Sequence, residues 1–146
     1  MRGITLLEII IVFGVLAIVA TVLVGALVEF RSTSAVVGAK SEIIGMLRDA
    51  RARTLASRNN TNYGLHFEET QAVLFEGNTY SALAPSNEIY RLYTARIAAI
   101  VLGGVSDVVF ERLSGAASVN GTIVLSATRD SSKTETITIF PTGLVE

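Results

Sequence analysis

The chain has no cysteine, one histidine and two prolines among its 146 residues. The missing cysteine excludes disulfides and thiolate metal sites, so an exported domain would need an adequate core of its own. With His66 as the only imidazole, a zinc site would have to be completed by carboxylates such as Glu68 and Glu69. Ser-His-Asp catalysis would need the same histidine, and no Gly-x-Ser-x-Gly elbow is present. Gly103-Gly104 is followed by neither G-x-G-x-x-G nor a phosphate-loop lysine. Nothing in the spacing favours a paired-carboxylate glycosidase site. Of the function classes considered, an enzyme is the least supported, and neither metal nor cofactor is expected. Excess positive charge is missing as well. Twelve Lys and Arg against thirteen Asp and Glu give a net charge of −1, so no global field holds nucleic acid or an anionic surface.

Charge is also absent from Ile9 to Val28, a run of Ile, Val, Leu, Phe and Ala interrupted only by Gly14, Thr21 and Gly25. As a helix rising about 1.5 Å per residue, some twenty residues span the roughly 30 Å hydrocarbon core of a bilayer. A secretory signal peptide would carry a shorter apolar region and a small-residue cleavage site, which the following EFRSTS does not offer. Arg2 and the initial amine place the N-terminal flank in the cytoplasm by the positive-inside tendency, with Arg31 on the other side. Glu8 stands at the head of the run. Two readings fit it: an acid welcomed at a helix N-terminus by the macrodipole, or a carboxylate awaiting a positive partner.

Arg2-Gly3-Ile4-Thr5-Leu6-Leu7-Glu8 followed by the apolar run resembles the type III signal of type IV pilins and pseudopilins. That pattern is a short basic leader ending in Gly, then usually Phe, Thr, Leu, an aliphatic residue and Glu, then a hydrophobic helix. Here Ile4 stands where Phe is usual, and the leader is short. The resemblance implies cleavage after Gly3 by a membrane-embedded prepilin peptidase and N-methylation of Ile4. It also implies an assembly role for Thr5, Leu6, Leu7 and Glu8, the Glu8 carboxylate meeting the freed amine of a neighbouring subunit. The helix would anchor the subunit in the membrane and later form the filament core.

Val36, Ile43, Leu47 and Ala50 recur on one helical stripe, with Lys40, Glu42, Arg48, Asp49 and Arg53 largely off it. The second half of the helix is therefore amphipathic, and it should end between Ser57 and Asn60. Arg48, Arg51, Arg53 and Arg58 make the one dense basic cluster, read as a solvated face or subunit contact, with nucleic acid as the alternative. Tyr63, Leu65 and Phe67 alternate with Gly64, His66 and Glu68, which turns His66 to the solvent side or an interface. With Val73–Phe75 this reads as a hairpin; Gly77–Glu88 is a loop. Strands follow at Ile89–Tyr93, Ile97–Leu102, Val108–Leu113, Thr122–Ala127 and Thr136–Phe140, with Glu111 and Arg112 as candidates for cross-strand ion pairs. The Arg-rich stretch with its Asn residues, the strands and Phe140-Pro141-Thr142-Gly143 together resemble the GspH/FimT-type pseudopilins and minor pilins.

The expected fold class is α+β: a long N-terminal helix, membrane-spanning in its first half and amphipathic in its second, packed on an antiparallel β domain as in pilins. The divisions are a leader at 1–3, a membrane or filament-core helix at 4–28, its amphipathic half at 29–60 and a β-rich head at 61–146. On the resemblance the chain is a filament or secretion-pseudopilus subunit of a bacterial inner or cytoplasmic membrane, its head outside. Its partners would be other pilin subunits, the prepilin peptidase, membrane lipid and, indirectly, an assembly platform protein and ATPase. Two alternatives remain. One is a DNA-binding minor pilin, although the chain carries GLVE where such proteins have a basic tail; the other is an anchored exported β domain without a filament.

Overall fold

The computed structural model describes residues 5–146. The chain is α+β: a long helix α1 (Leu6–Leu55), then β1 (Tyr63–Glu68), β2 (Gln71–Glu76), β3 (Glu88–Arg91), β4 (Ala95–Val101), β5 (Asp107–Val109), β6 (Gly121–Ala127) and β7 (Thr134–Ile139). It divides into two compact units at Arg31/Ser32.

In the first unit every described residue is exposed, from Thr5 to Arg31. Thr21, the one polar side chain inside the apolar run, donates its hydroxyl to Ala17 O (2.8 Å) and Ile18 O (2.9 Å). The group is thereby satisfied without water, as a helix in hydrocarbon requires. This helix is long and apolar enough to cross a membrane.

The second unit begins with the rest of α1. Ser32, Val36, Ala39, Ile43, Leu47, Ala50 and Thr54 are its buried residues, spaced by four and three. The apolar five of these pack with Leu65, Phe67, Leu74, Val108, Ile123, Leu125 and Ile137 in one core. The strands form two antiparallel sheets, one of order β3-β2-β1-β5 and one of order β4-β6-β7. Glu69 and Thr70, in the turn after β1, accept hydrogen bonds from Ile97 and Leu92 N–H at 2.8 Å and stitch the sheets together.

The α-helix closes at Leu55, before the expected Ser57–Asn60, and a 3-10 turn (Arg58–Asn60) follows. Ser57, Asn59 and Asn60 all take positive φ, near 50–56°, which the helix cannot continue through. The expected strands Ile89–Tyr93, Ile97–Leu102, Thr122–Ala127 and Thr136–Phe140 each begin one or two residues after the observed ones. The segment Val108–Leu113 departs further. Regular pairing stops at Val109, Phe110 makes an isolated bridge to Ala117, and Leu113 takes φ +72° in a turn. Glu111 and Arg112 are therefore not cross-strand partners, and Arg112 instead donates to the Asn60 carbonyl and side-chain oxygens.

Candidate functional site

Of the residues expected to direct processing, Gly3 and Ile4 lie outside the described residues. Thr5 caps the helix: its hydroxyl accepts the Glu8 N–H at 3.3 Å, and its carbonyl accepts from Glu8 (3.1 Å) and Ile9 (3.3 Å). Thr5-Leu6-Leu7-Glu8 thus has the T-x-x-E spacing of a capping box, in which a carboxylate or amide at the fourth position suits the helix start. Glu8 is exposed, and among the described residues its carboxylate forms no ion pair. Leu6 and Leu7 are exposed beside it. From Leu6 to Phe30 the surface of this unit is almost wholly apolar, an arrangement water does not tolerate without lipid or protein cover.

The four arginines separate. Arg53 is held between two carboxylates, Asp49 at 2.6 Å and Glu88, and lies 6.0 Å from the Tyr63 ring centroid. The Glu88 hydrogen bond, then that of Asp49, pushes the Arg53 guanidinium above its ordinary value, and Arg53 in turn lowers the Glu88 carboxyl. Arg51 donates through Nε to Gly115 O (2.9 Å) and through Nη2 to Thr142 O (3.4 Å), pinning two loops to the helix. Gly143 completes that junction. Its φ is +78°, and an added Cβ would stand 1.9 Å from Gly115 O and 2.8 Å from Arg51 Nε, which gives the Phe-Pro-Thr-Gly motif a packing reason. Arg48 and Arg58 are exposed. Of the four, then, two belong to the architecture and two face solvent.

His66 lies on the sheet face opposite the main core, but it is half-buried. Tyr80 stacks on its ring at 3.9 Å with a 7° interplanar angle, Asp107 bonds Nδ1, and Glu68 lies 3.4 Å from Nε2. The Gly77–Glu88 loop is thus a strap across the outer face of the first sheet. Tyr80 also meets Phe75 edge-on at 5.7 Å, and Val73 and Phe75 are buried beneath it. Room for the Phe75 ring comes from Gly64, where a Cβ would sit 2.8 Å from Phe75 Cζ and 2.6 Å from Val108 O. Among the described residues no group of three or more His, Asp or Glu is placed to hold a metal ion.

One residue that joins the helix to the sheets belongs to no motif of the sequence. Thr54 is fully buried; its hydroxyl donates to Ala50 O and accepts the Tyr63 N–H, each at 2.9 Å. Its place on the i, i+4 continuation of the Val36–Ala50 stripe was the available signal. Comparison with protein-family models, curated proteins and solved structures gives no match.

Proposed function

We propose that the chain is a structural subunit of a type IV filament or type II secretion pseudopilus, processed after Gly3 and assembled through its N-terminal helix. The observation that carries this reading is the continuity of α1. One 50-residue helix is apolar and exposed on all sides in its first unit and buries a narrow stripe in its second. A segment of that kind serves one partner, lipid, before assembly and another, neighbouring helices, afterwards. Glu8 fits the same account. In an apolar helix bundle a carboxylate is tolerated when paired, and a freed amine on a neighbouring subunit supplies the pair.

The bacterial inner or cytoplasmic membrane, the peptidase, the platform protein and the ATPase enter with the pilin resemblance. The DNA-binding alternative is weakened by the commitments of Arg51 and Arg53, which leave Arg48 and Arg58 to contact phosphate. Intact mass of the protein recovered from producing membranes tests the proposal. Loss of Met1 to Gly3 with one methyl group added is expected, and an uncut chain would favour an anchored domain without a filament.

A further inference from the structure

The two outer edges of the second sheet are finished differently. At β7 the segment Leu144–Glu146 pairs antiparallel through an isolated bridge. Thr138 N–H donates to Glu146 O (2.9 Å), Glu146 N–H to Thr138 O (3.1 Å) and Phe140 N–H to Leu144 O (2.9 Å), with Ile139 bridging Val145. In that register Val145 faces Ile139 as a non-hydrogen-bonded pair, so its own N–H and C=O point away from β7. On the other side β4 is covered only at its start, where Ile97 N–H meets Glu69 O. Among the described residues, Ala98–Val101 make no backbone hydrogen bond outside the β4–β6 ladder. Ala98, Ala99 and Val101 are exposed, with no lysine or proline to guard the edge. An open groove of about 460 Å³, lined by Glu69, Arg96 and Ile97–Ile100, runs beside it.

Strand direction says what fits there. The segments β4, β6, β7 and Leu144–Glu146 alternate in direction, so the outermost two run opposite ways. A second copy in the same orientation, displaced sideways, therefore brings its β4 antiparallel to Leu144–Glu146 of the first, and the sheet continues. Pairing β4 with β4 about a two-fold axis would instead turn one copy end over end.

We propose that copies of this chain associate head to tail through these edges, Ala98–Val101 of one against Leu144–Glu146 of the next. The premise of equal orientation rests on the filament-subunit reading above. Val145 set opposite Ile100, the residue of β4 that makes a non-hydrogen-bonded pair with β6 and so points its N–H and C=O outward, lets the two exchange both hydrogen bonds and places Glu146 beside Ala99. Leu144, 58% exposed, then lies beside Val101, 59% exposed, on the outer face. The contact is heterologous and does not close on itself, as a filament requires. Being short, it sets register between subunits already concentrated by their helices.

Because the chain lacks cysteine, introduced thiols report on this contact alone. Full-length protein carrying Val101→Cys and Leu144→Cys is treated with a short bis-maleimide in producing membranes and in sheared filaments. A ladder of multiples is expected from the double variant, dimers from a mixture of the two single variants, and neither from a single variant by itself. Ala99→Glu in the double-variant background should cut the ladder by about tenfold, since a charged edge resists strand addition. An absent ladder in filaments that contain the variant overturns the proposal, as do dimers from Val101→Cys alone. Should wild-type cells make no filament, the filament reading fails on its own account. The membrane sample then decides edge pairing, a ladder supporting it and its absence overturning it.

Discussion

Replacing Thr54 with valine keeps shape and volume while deleting the hydroxyl that joins the end of α1 to the start of β1. The Tyr63 N–H, bonded to that hydroxyl at 2.9 Å in a fully buried site, would lose its acceptor. Leaving a buried donor unpaired costs about 1–3 kcal/mol, whereas the added buried methyl returns about 0.8 kcal/mol. Ala50 O keeps its helical partner, so its loss is small. The net expectation is a destabilisation of about 1–2 kcal/mol, or roughly 4–8 °C in Tm for a body of this size. Thr54→Ser loses only a methyl group and costs about 0.8 kcal/mol, close enough that stability alone does not separate the variants. Hydrogen exchange separates them. In detergent-solubilised protein the Tyr63 amide should lose protection in Thr54→Val and keep it in Thr54→Ser. A valine variant as stable as wild type, with Tyr63 equally protected, would refute the reasoning.

Gly64→Ala should destabilise the head by roughly 2 kcal/mol or more, read from thermal unfolding, because the new Cβ meets the Val108 carbonyl and the Phe75 ring. Tyr80→Ala should release the strap, so that limited proteolysis cuts within residues 77–87 faster than in wild type. Glu88, with its carboxyl lowered by Arg53, contributes stability above the ordinary glutamate range and loses it as pH falls through its depressed folded value. Its side chain is 55% exposed, so Glu88→Gln should cost less than about 1 kcal/mol at neutral pH. That difference should shrink below about pH 4.5 in pH-dependent denaturation curves. Replacing both Arg48 and Arg58 with alanine should change neither the retention of the protein on duplex DNA nor its salt dependence.

Helical periodicity made α1 legible, since Val36, Ile43, Leu47 and Ala50 mark its buried stripe with a spacing that strands do not produce. Strict alternation did the same for β1. The sequence did not disclose what holds the arginines. Glu88 lies 35 residues from Arg53 and Gly115 lies 64 from Arg51, so only tertiary packing turns a basic cluster into two structural anchors. In the sequence the strap is an unassigned loop for the same reason: Tyr80 meets His66 only in the folded sheet. Val108–Leu113 reads as one β-branched and aromatic run, yet the tie from Arg112 to Asn60 and the positive φ at Leu113 end the strand at Val109. Glu8 was legible as an anomaly; its capping relation to Thr5 emerged from the backbone geometry.

That relation supplies the most direct test of the central claim. Glutamine satisfies a capping box as well as glutamate does, so Glu8→Gln preserves the helix start and removes only the charge. Incorporation into sheared filaments should be measured for wild type, Glu8→Gln and Glu8→Asp expressed at equal levels. If Glu8 pairs with a neighbouring subunit's amine, the glutamine variant should be processed and retained in the membrane but lost from filaments, with partial recovery by aspartate. Filaments that take up Glu8→Gln as readily as wild type would reduce Glu8 to a helix cap and contradict the account.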